Sequence, residues 1–309
     1  LINFIIVQIA PGGPVEQAIQ QIQNAQGLGV NPNNSNTLGE LAQYEGARGL
    51  SPEMIEKIKA QYGFDQPAYE RFWIMLKAYL TLDFGTSFFK DKTVVQLLYE
   101  KLPVTLSLGI WSTFLIYMIA ISLGISKAKK NGLLFDRATS LLLAISYAVP
   151  SFVFAIVLVV FFAGGSYWQW FPLQGLVSEN FEHLSFIGKV KDYLWHMCLP
   201  IISMVLGSFA ALTYLTKYSF VEELNKPYAL TARSKGLNEN QVLFRHVFRN
   251  AILIVAAALP ETMVGIFFVG TLSIEIIFNL DGVGLLGFEA ITQRDYPVIF
   301  GTLFLFTFF

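Results

Sequence analysis

The sequence predicts an all-α, polytopic membrane protein with about six transmembrane helices, on three observations. Only 14% of the 309 residues are charged, whereas 54% are hydrophobic and 28 are Phe; a soluble domain averages about 25% charged residues. Residues 102–126 and 138–163 contain no Asp, Glu, Lys or Arg, and each is long enough to cross a bilayer, which takes ~20 residues as a helix. The connecting segments alternate in sign: 127–137 and 217–250 are each +3, 164–194 is −1 and 279–297 is −2. Lys and Arg in short loops stay on the cytoplasmic side, so the two basic loops are expected inside.

In chain order, residues 1–10 are an apolar run too short to span, read as the end of a first transmembrane helix. Ala10-Pro11-Gly12-Gly13-Pro14 closes it with turn residues. Residues 11–101 form a long extracytoplasmic segment of mixed character, with an Asn-rich loop at 31–37. A helix is predicted from Ser51-Pro52, with Ile55, Ile58 and Tyr62 on one face and Gly63 ending it. A second amphipathic helix is predicted over 69–82, with Phe72, Leu76 and Tyr79 on one face. The remainder, 102–309, supplies spans at 102–126, 138–163, 195–216 and 251–278, and the start of a last one with Pro297 in its first turn. Tyr167, Trp168, Trp170 and Phe171 follow the 138–163 span as an aromatic belt of the kind found at a membrane–water interface.

Few residues within the spans can do chemistry. Pro150, followed by Ser151, interrupts a span and frees backbone carbonyls, which suits either a path-lining kink or a packed structural one. Glu261 lies ~10 residues into its span, roughly 15 Å deep at the helical rise. A carboxylate at that depth faces water or a bundle interior, so Glu261 is a candidate for lining a hydrated path, the alternative being a protonated or paired structural acid. Glu275 falls nearer the outer end, where a cap or snorkelling explains it. Cys198 lies in an apolar segment and is expected to be a small buried hydrophobe. His183, His196 and His246 are scattered and have no metal-ligand spacing. No Gly-x-x-x-x-Gly-Lys-Ser/Thr loop is present, so the chain is not expected to bind ATP itself. Neither a catalytic constellation nor a cofactor is expected.

The longest polar island between two apolar segments is 217–250, and it is patterned as two short helices at an angle. Pro227 suits a first helical position, and Gly236 suits the left-handed residue that ends that helix. Asn238 with Gln241 three residues later forms the sequence of a capping box. Beyond it Leu243 and Val247, and Phe244 and Phe248, stack at i, i+4, while Arg245 and Arg249 form another stripe. On spacing alone such a loop could be no more than a topological anchor.

Thr231-Ala232-Arg233-Ser234-Lys235-Gly236-Leu237, followed by Arg245-His246 and Arg249-Asn250-Ala251, resembles the cytoplasmic loop of ATP-binding-cassette (ABC) importer permeases. Leu230 and Thr231 stand where that family has Glu and Ala, and Ile254 replaces its usual Pro. The resemblance is to the oligopeptide/dipeptide branch and extends along nearly the whole chain. It is carried by Tyr62-Gly63-Phe64-Asp65-Gln66-Pro67, Asp83-Phe84-Gly85-Thr86-Ser87, Glu275 to Phe278, Gly282-Val283-Gly284 and Arg294-Asp295-Tyr296-Pro297. Ala10 to Gln17 and Phe162 to Tyr167 are most similar to microcin C-type (Yej-like) permeases.

The resemblance implies a bacterial inner-membrane subunit that forms half of a path for peptides or peptide-like compounds. It implies cytoplasmic ATP-binding subunits, a second permease subunit and an extracytoplasmic substrate-binding protein as partners. It further implies that Thr231, Ala232, Arg233, Lys235, Gly236, Leu237, Arg245 and His246 belong to the loop that couples to the ATPase. Two rivals remain: an ion-coupled secondary transporter, whose sign would be inverted repeats and several intramembrane charges, and a membrane scaffold or receptor.

Overall fold

In the computed structural model residues 66–165, 167–265 and 271–308 are described; they form helices joined by turns, with an isolated bridge between Thr86 and Thr93. The predicted first span, the Asn-rich loop and the helix starting at Ser51 lie outside the described residues. Among those described, three helices are long and apolar enough to cross a membrane, and a bent pair makes a fourth if counted as one span.

One unit comprises described residues 66–99 with 287–308. Its first helix, α1 (Ala68–Leu80), starts directly after Pro67, whose φ of −62° is preset by its ring. The Thr81 hydroxyl caps it by donating to the Ala78 carbonyl at 2.8 Å. In the segment that follows, Gly85 takes a left-handed φ of +78° and its N–H donates to Asp83. That turn aims the Ser87 hydroxyl and the Phe88 N–H at the buried Asp295 carboxylate. Asp83 to Ser87 and Arg294 to Pro297, separate in the sequence, therefore meet here. Lys90 adds an ion pair to Glu289 at 2.8 Å. The last described helix, Tyr296–Phe308, has Pro297 in its first turn, as expected.

The second unit, 100–286, contains the spans. Helix α2 (Val94–Lys129) enters it through a reciprocal cap in which the Thr93 and Gln96 side chains accept from each other's backbone N–H. The predicted 138–163 span is broken: α3 (Leu134–Ala148) and α4 (Ser151–Phe162) meet at 94°, with Pro150 at the N-cap of α4. Helix α5 (Phe186–Leu224) is the element on which α3 and α4 pack. The Ser185 hydroxyl caps it by accepting from the Gly188 N–H. Two close crossings depend on missing side chains: a Cβ on Gly124 would lie 2.6 Å from the Thr216 Cβ, and one on Gly207 would lie 2.8 Å from the Ser151 Cβ. Small residues at such crossings let helix backbones approach closely in lipid. Leu108, Ile116, Met197, Met204, Ile274 and Phe278 are among the buried side chains of the core around α5.

After α5 come α6 (Pro227–Ser234) and a second helix starting at Glu239. The expectation of a second short helix, followed by a separate span from 251, is corrected: the helix from Glu239 continues through 251 as part of one apolar span, Glu239–Gly265. Its α-helical first turn, α7 (Glu239–Gln241), passes through a π-helical turn, Val242–Val247, into α8 (Phe248–Ala257) and α9 (Leu259–Gly265). The physical reason is that nothing interrupts it between Glu239 and Ala257, ahead of Pro260: the capping box fixes the start, and Val247, Ala251 and Val255 continue one buried row. The part of the predicted span at 266–270 lies outside the described residues, and α10 (Thr271–Ile277) follows it.

Candidate functional site

The element at 226–250 is built by local rules. Pro227 occupies the first turn of α6, and Gly236 leaves the helix with φ +85°. The Gly236 N–H donates to the Arg233 carbonyl at 2.9 Å, and that of Leu237 donates to Ala232. A Cβ at Gly236 would meet nothing within 4 Å, so the demand for glycine there is conformational and not steric. Asn238 and Gln241 close a capping box, each side chain accepting from the other's backbone N–H at 2.9–3.0 Å.

The two helices are then locked together. Ala229, Ala232, Val242, Leu243, Val247 and Phe220 form a small apolar core with Ala128 and Ala251. Arg233 closes it from the side: its guanidinium donates to both Glu239 oxygens, at 2.8 and 3.1 Å, and to the Leu224 carbonyl at the end of α5 at 3.1 Å. Arg233 is therefore turned into the element, where it joins α5, α6 and the helix from Glu239. A second clamp was missed by sequence reasoning: buried Glu223 accepts from Lys226 at 2.5 Å and from the Tyr228 hydroxyl. Burial, and then the hydrogen bond to Glu223, raises the Tyr228 pKa above its ordinary value, so the hydroxyl stays a donor.

What remains on the outside is mixed in character. Thr231, Lys235, Arg245 and His246 are exposed, Leu237 is half-buried and Ala232 is buried. Among these polar groups stand two exposed apolar side chains, Leu230 at 63% and Phe244 at 58%. The π-turn puts Phe244, Arg245 and His246 side by side on the outer surface while Leu243 and Val247 stay buried. Single π-turns recur at functional sites, and the i, i+4 pattern gave no sign of this one.

Among the described residues no hydrogen bond or ion pair joins the proposed path residues Pro150, Ser151 and Glu261. Pro150 is exposed at the break between α3 and α4, and half-buried Ser151 packs on Gly207. The Ser146 hydroxyl donates to the Leu206 carbonyl just before the break, so both sides of the bend are held on α5. Glu261 is exposed in α9, one residue before Thr262, whose hydroxyl receives the Tyr117 hydroxyl at 3.3 Å. Glu275 differs from the cap or snorkelling expectation. It is 0% exposed, because the chain from 279 to 285 wraps over it. Its carboxylate accepts from the Thr105 hydroxyl at 2.8 Å and the Leu285 N–H at 2.7 Å. Gly282 is glycine because a Cβ there would lie 2.4 Å from that carboxylate.

A polar cluster at the other end of the spans was also missed. Lys127, counted in the sequence as a loop charge, is 0% exposed. Its Nζ donates to the Asp136 carbonyl and to the Thr139 and Ser140 hydroxyls, each at 2.8 Å. With its three protons so directed, the contact to Asp136 Oδ1 at 3.0 Å is Coulombic. Asp136 Oδ2 accepts from Lys217 at 2.8 Å and from the Gly132 N–H at 3.0 Å. The one signal available in the sequence was Asp136 itself, the sole acid in a loop with four basic residues.

Residues 120–309 match the family described as the inner membrane component of binding-protein-dependent transport systems. The chain belongs to that family. It is 52% identical, over 99% of its length and 87% of the relative's, to the inner membrane ABC transporter permease protein YejB of Escherichia coli O157:H7. It is 49% identical, over 99% of its length and 86% of the relative's, to the peptidoglycan transport system permease protein YejB of Agrobacterium fabrum. At 32% identity, over 97% of its length and 84% of the relative's, it is similar to the oligopeptide transport system permease protein AppB of Bacillus subtilis. The chain is thus a multi-pass permease subunit of the bacterial inner membrane, and its apolar helices are the spans of that subunit.

Proposed function

We propose that this permease forms half of the translocation path of an ATP-driven importer for peptides or peptide-like compounds. In this reading 217–250 faces the cytoplasm and its outer surface docks on an ATP-binding subunit. The observation that carries it is the rigid pair of helices fastened by Arg233, the capping box and its own core, yet presenting Leu230 and Phe244 to solvent. Apolar side chains held out in solvent by a rigid element gain free energy by burial against a partner. A loop serving only as a topological anchor needs neither the internal clamps nor the apolar tips. The relatives named for peptidoglycan and oligopeptide transport support a peptide-containing cargo. The remaining partners are a second permease subunit and an extracytoplasmic substrate-binding protein, which residues 11–101 would face. Glu261, Pro150 and Ser151 are assigned to the path.

The test is reconstitution. Co-expressed with the ATP-binding subunits and a partner permease, the chain is expected to co-purify with both. In proteoliposomes containing the binding protein, it is expected to take up a radiolabelled peptide hydrolysate only when ATP is supplied. Uptake driven by an ion gradient without ATP would favour a secondary transporter. Assembly with neither uptake nor stimulated ATP hydrolysis would favour a scaffold.

A further inference from the structure

The buried cluster around Asp136 has one cation more than neutrality needs. Lys127 alone compensates the carboxylate and spends its three protons within the cluster. Lys217 brings a second buried ammonium to the same acid, leaving a net +1 where desolvation disfavours charge. Neutralisation therefore does not explain Lys217, whereas its location does. It sits on α5, seven residues before Leu224, the carbonyl gripped by Arg233 of α6. Asp136 sits in the first turn of α3, whose far end is the 94° break at Pro150. Further ties run along the same helix pair: the Tyr214 hydroxyl donates to the Ser140 carbonyl at 3.0 Å, and Ser146 donates to Leu206.

We propose that Lys217 is a positioning residue whose ion pair with Asp136 makes α3 follow α5. A displacement received by α6 would then reach the broken span, and not α5 alone. The inference rests on the coupling role given above to 217–250. Mechanically, Arg233 joins α6 to α5, the Lys217–Asp136 pair joins α5 to the start of α3, and the Ser146 and Ser151 contacts hold the break. A salt bridge between helices suits this task because it resists sliding of one helix along the other, which apolar contacts permit more readily.

The experiment compares Lys217→Met and Lys217→Arg in the reconstituted complex with its ATP-binding subunits, partner permease and binding protein. Radiolabelled peptide hydrolysate taken up and ATP hydrolysed are both measured per assembled complex. Lys217→Met leaves Asp136 its partners Lys127 and Gly132, so the complex is expected to assemble and hydrolyse ATP. Uptake per ATP is expected to fall about tenfold, within the range that coupling free energies carry. Lys217→Arg retains the charge and is expected to stay within about twofold of the parent. Gly236→Val strains the left-handed turn that ends α6 and is expected to uncouple the loop, so it serves as the reference. If Lys217→Met matches the parent while Gly236→Val is uncoupled, the relay is wrong and the coupling loop stands. If both match the parent, the relay and the coupling loop fall together. Failure of Lys217→Met to assemble would also overturn the relay, since it would make the residue a requirement of folding.

Discussion

Asp136 and Glu275 are both buried acids, yet their surroundings differ in kind. Asp136 lies between two lysines from different helices, and its partners are long, charged and drawn from α2 and α5. Glu275 is met by the Thr105 hydroxyl and the Leu285 N–H at the start of α11 (Val283–Gln293), with Gly282 and Gly284 pressed against it. One donor is a hydroxyl from within α2, and the other is a backbone N–H in the first turn of a helix, where such groups favour a negative charge. Thr105 is fixed as a donor to Glu275 because its oxygen also accepts from the Val283 N–H at 2.9 Å. The first site ties whole helices by charge; the second seals one turn by hydrogen bonds and shape. A device for transmitting motion needs the former and a static seal needs the latter.

The contrast predicts unequal costs of neutralisation. Asp136→Asn leaves two buried lysines facing an amide, and removing one partner of a buried ion pair typically costs about 3–5 kcal/mol. The expected result is a large loss of thermal stability in detergent, partly restored by adding Lys217→Met, which removes the surplus cation. If the double variant is no more stable than Asp136→Asn alone, the two lysines do not compete for one acid. Glu275→Gln keeps the shape and loses only one acceptor, since its amide nitrogen must face a donor. A buried unsatisfied group costs about 1–3 kcal/mol, and a melting curve should place this variant between the parent and Asp136→Asn. A larger loss than for Asp136→Asn would reverse the comparison. Smallest of all is Glu239→Ala, which frees the Arg233 guanidinium on the half-exposed side of the loop. Exposed pairs contribute roughly 0–1 kcal/mol, so its melting temperature should stay near the parent's. A drop comparable to that for Glu275→Gln would show that this pair carries more of the loop's stability than its exposure implies.

The same contrast explains what could be read in the sequence. Pro227, Gly236, Asn238 and Gln241 were legible because each acts within a few residues, through a fixed φ, a left-handed turn or a reciprocal cap. The spans at 102–126 and 195–216 were legible for an equally simple reason, an uncharged or nearly uncharged run of sufficient length, whereas in 138–163 the same signal showed the apolar run but not the 94° bend between its two helices. Lys127 and Lys217 were counted as topological charges because nothing local distinguishes a buried lysine from one in water; its acid is supplied by another helix. Arg233 looked like an outward-facing contact until Glu239 and the end of α5 gave its guanidinium three acceptors. Glu275 was misjudged for the same reason, since its seal depends on Thr105, 170 positions away along the chain. The π-turn at 242–247 left no mark at all, because the i, i+4 pairs that suggested an α-helix place nearly the same residues inward. Groups satisfied by distant partners are the part of this site that spacing rules do not reach.

Site-directed cross-linking decides whether the outer surface of 217–250 meets an ATP-binding subunit. In a Cys198→Ala background, Lys235→Cys and Phe244→Cys would each carry a short thiol-reactive photo-cross-linker. Asn180→Cys, exposed in the acidic loop before α5, serves as the control. After irradiation of membranes containing the assembled complex, positions 235 and 244 are predicted to yield an adduct with the ATP-binding subunit, and position 180 none. An adduct from 180 alone, or none from 235 and 244 while the ATP-binding subunit still co-purifies, would contradict the claim.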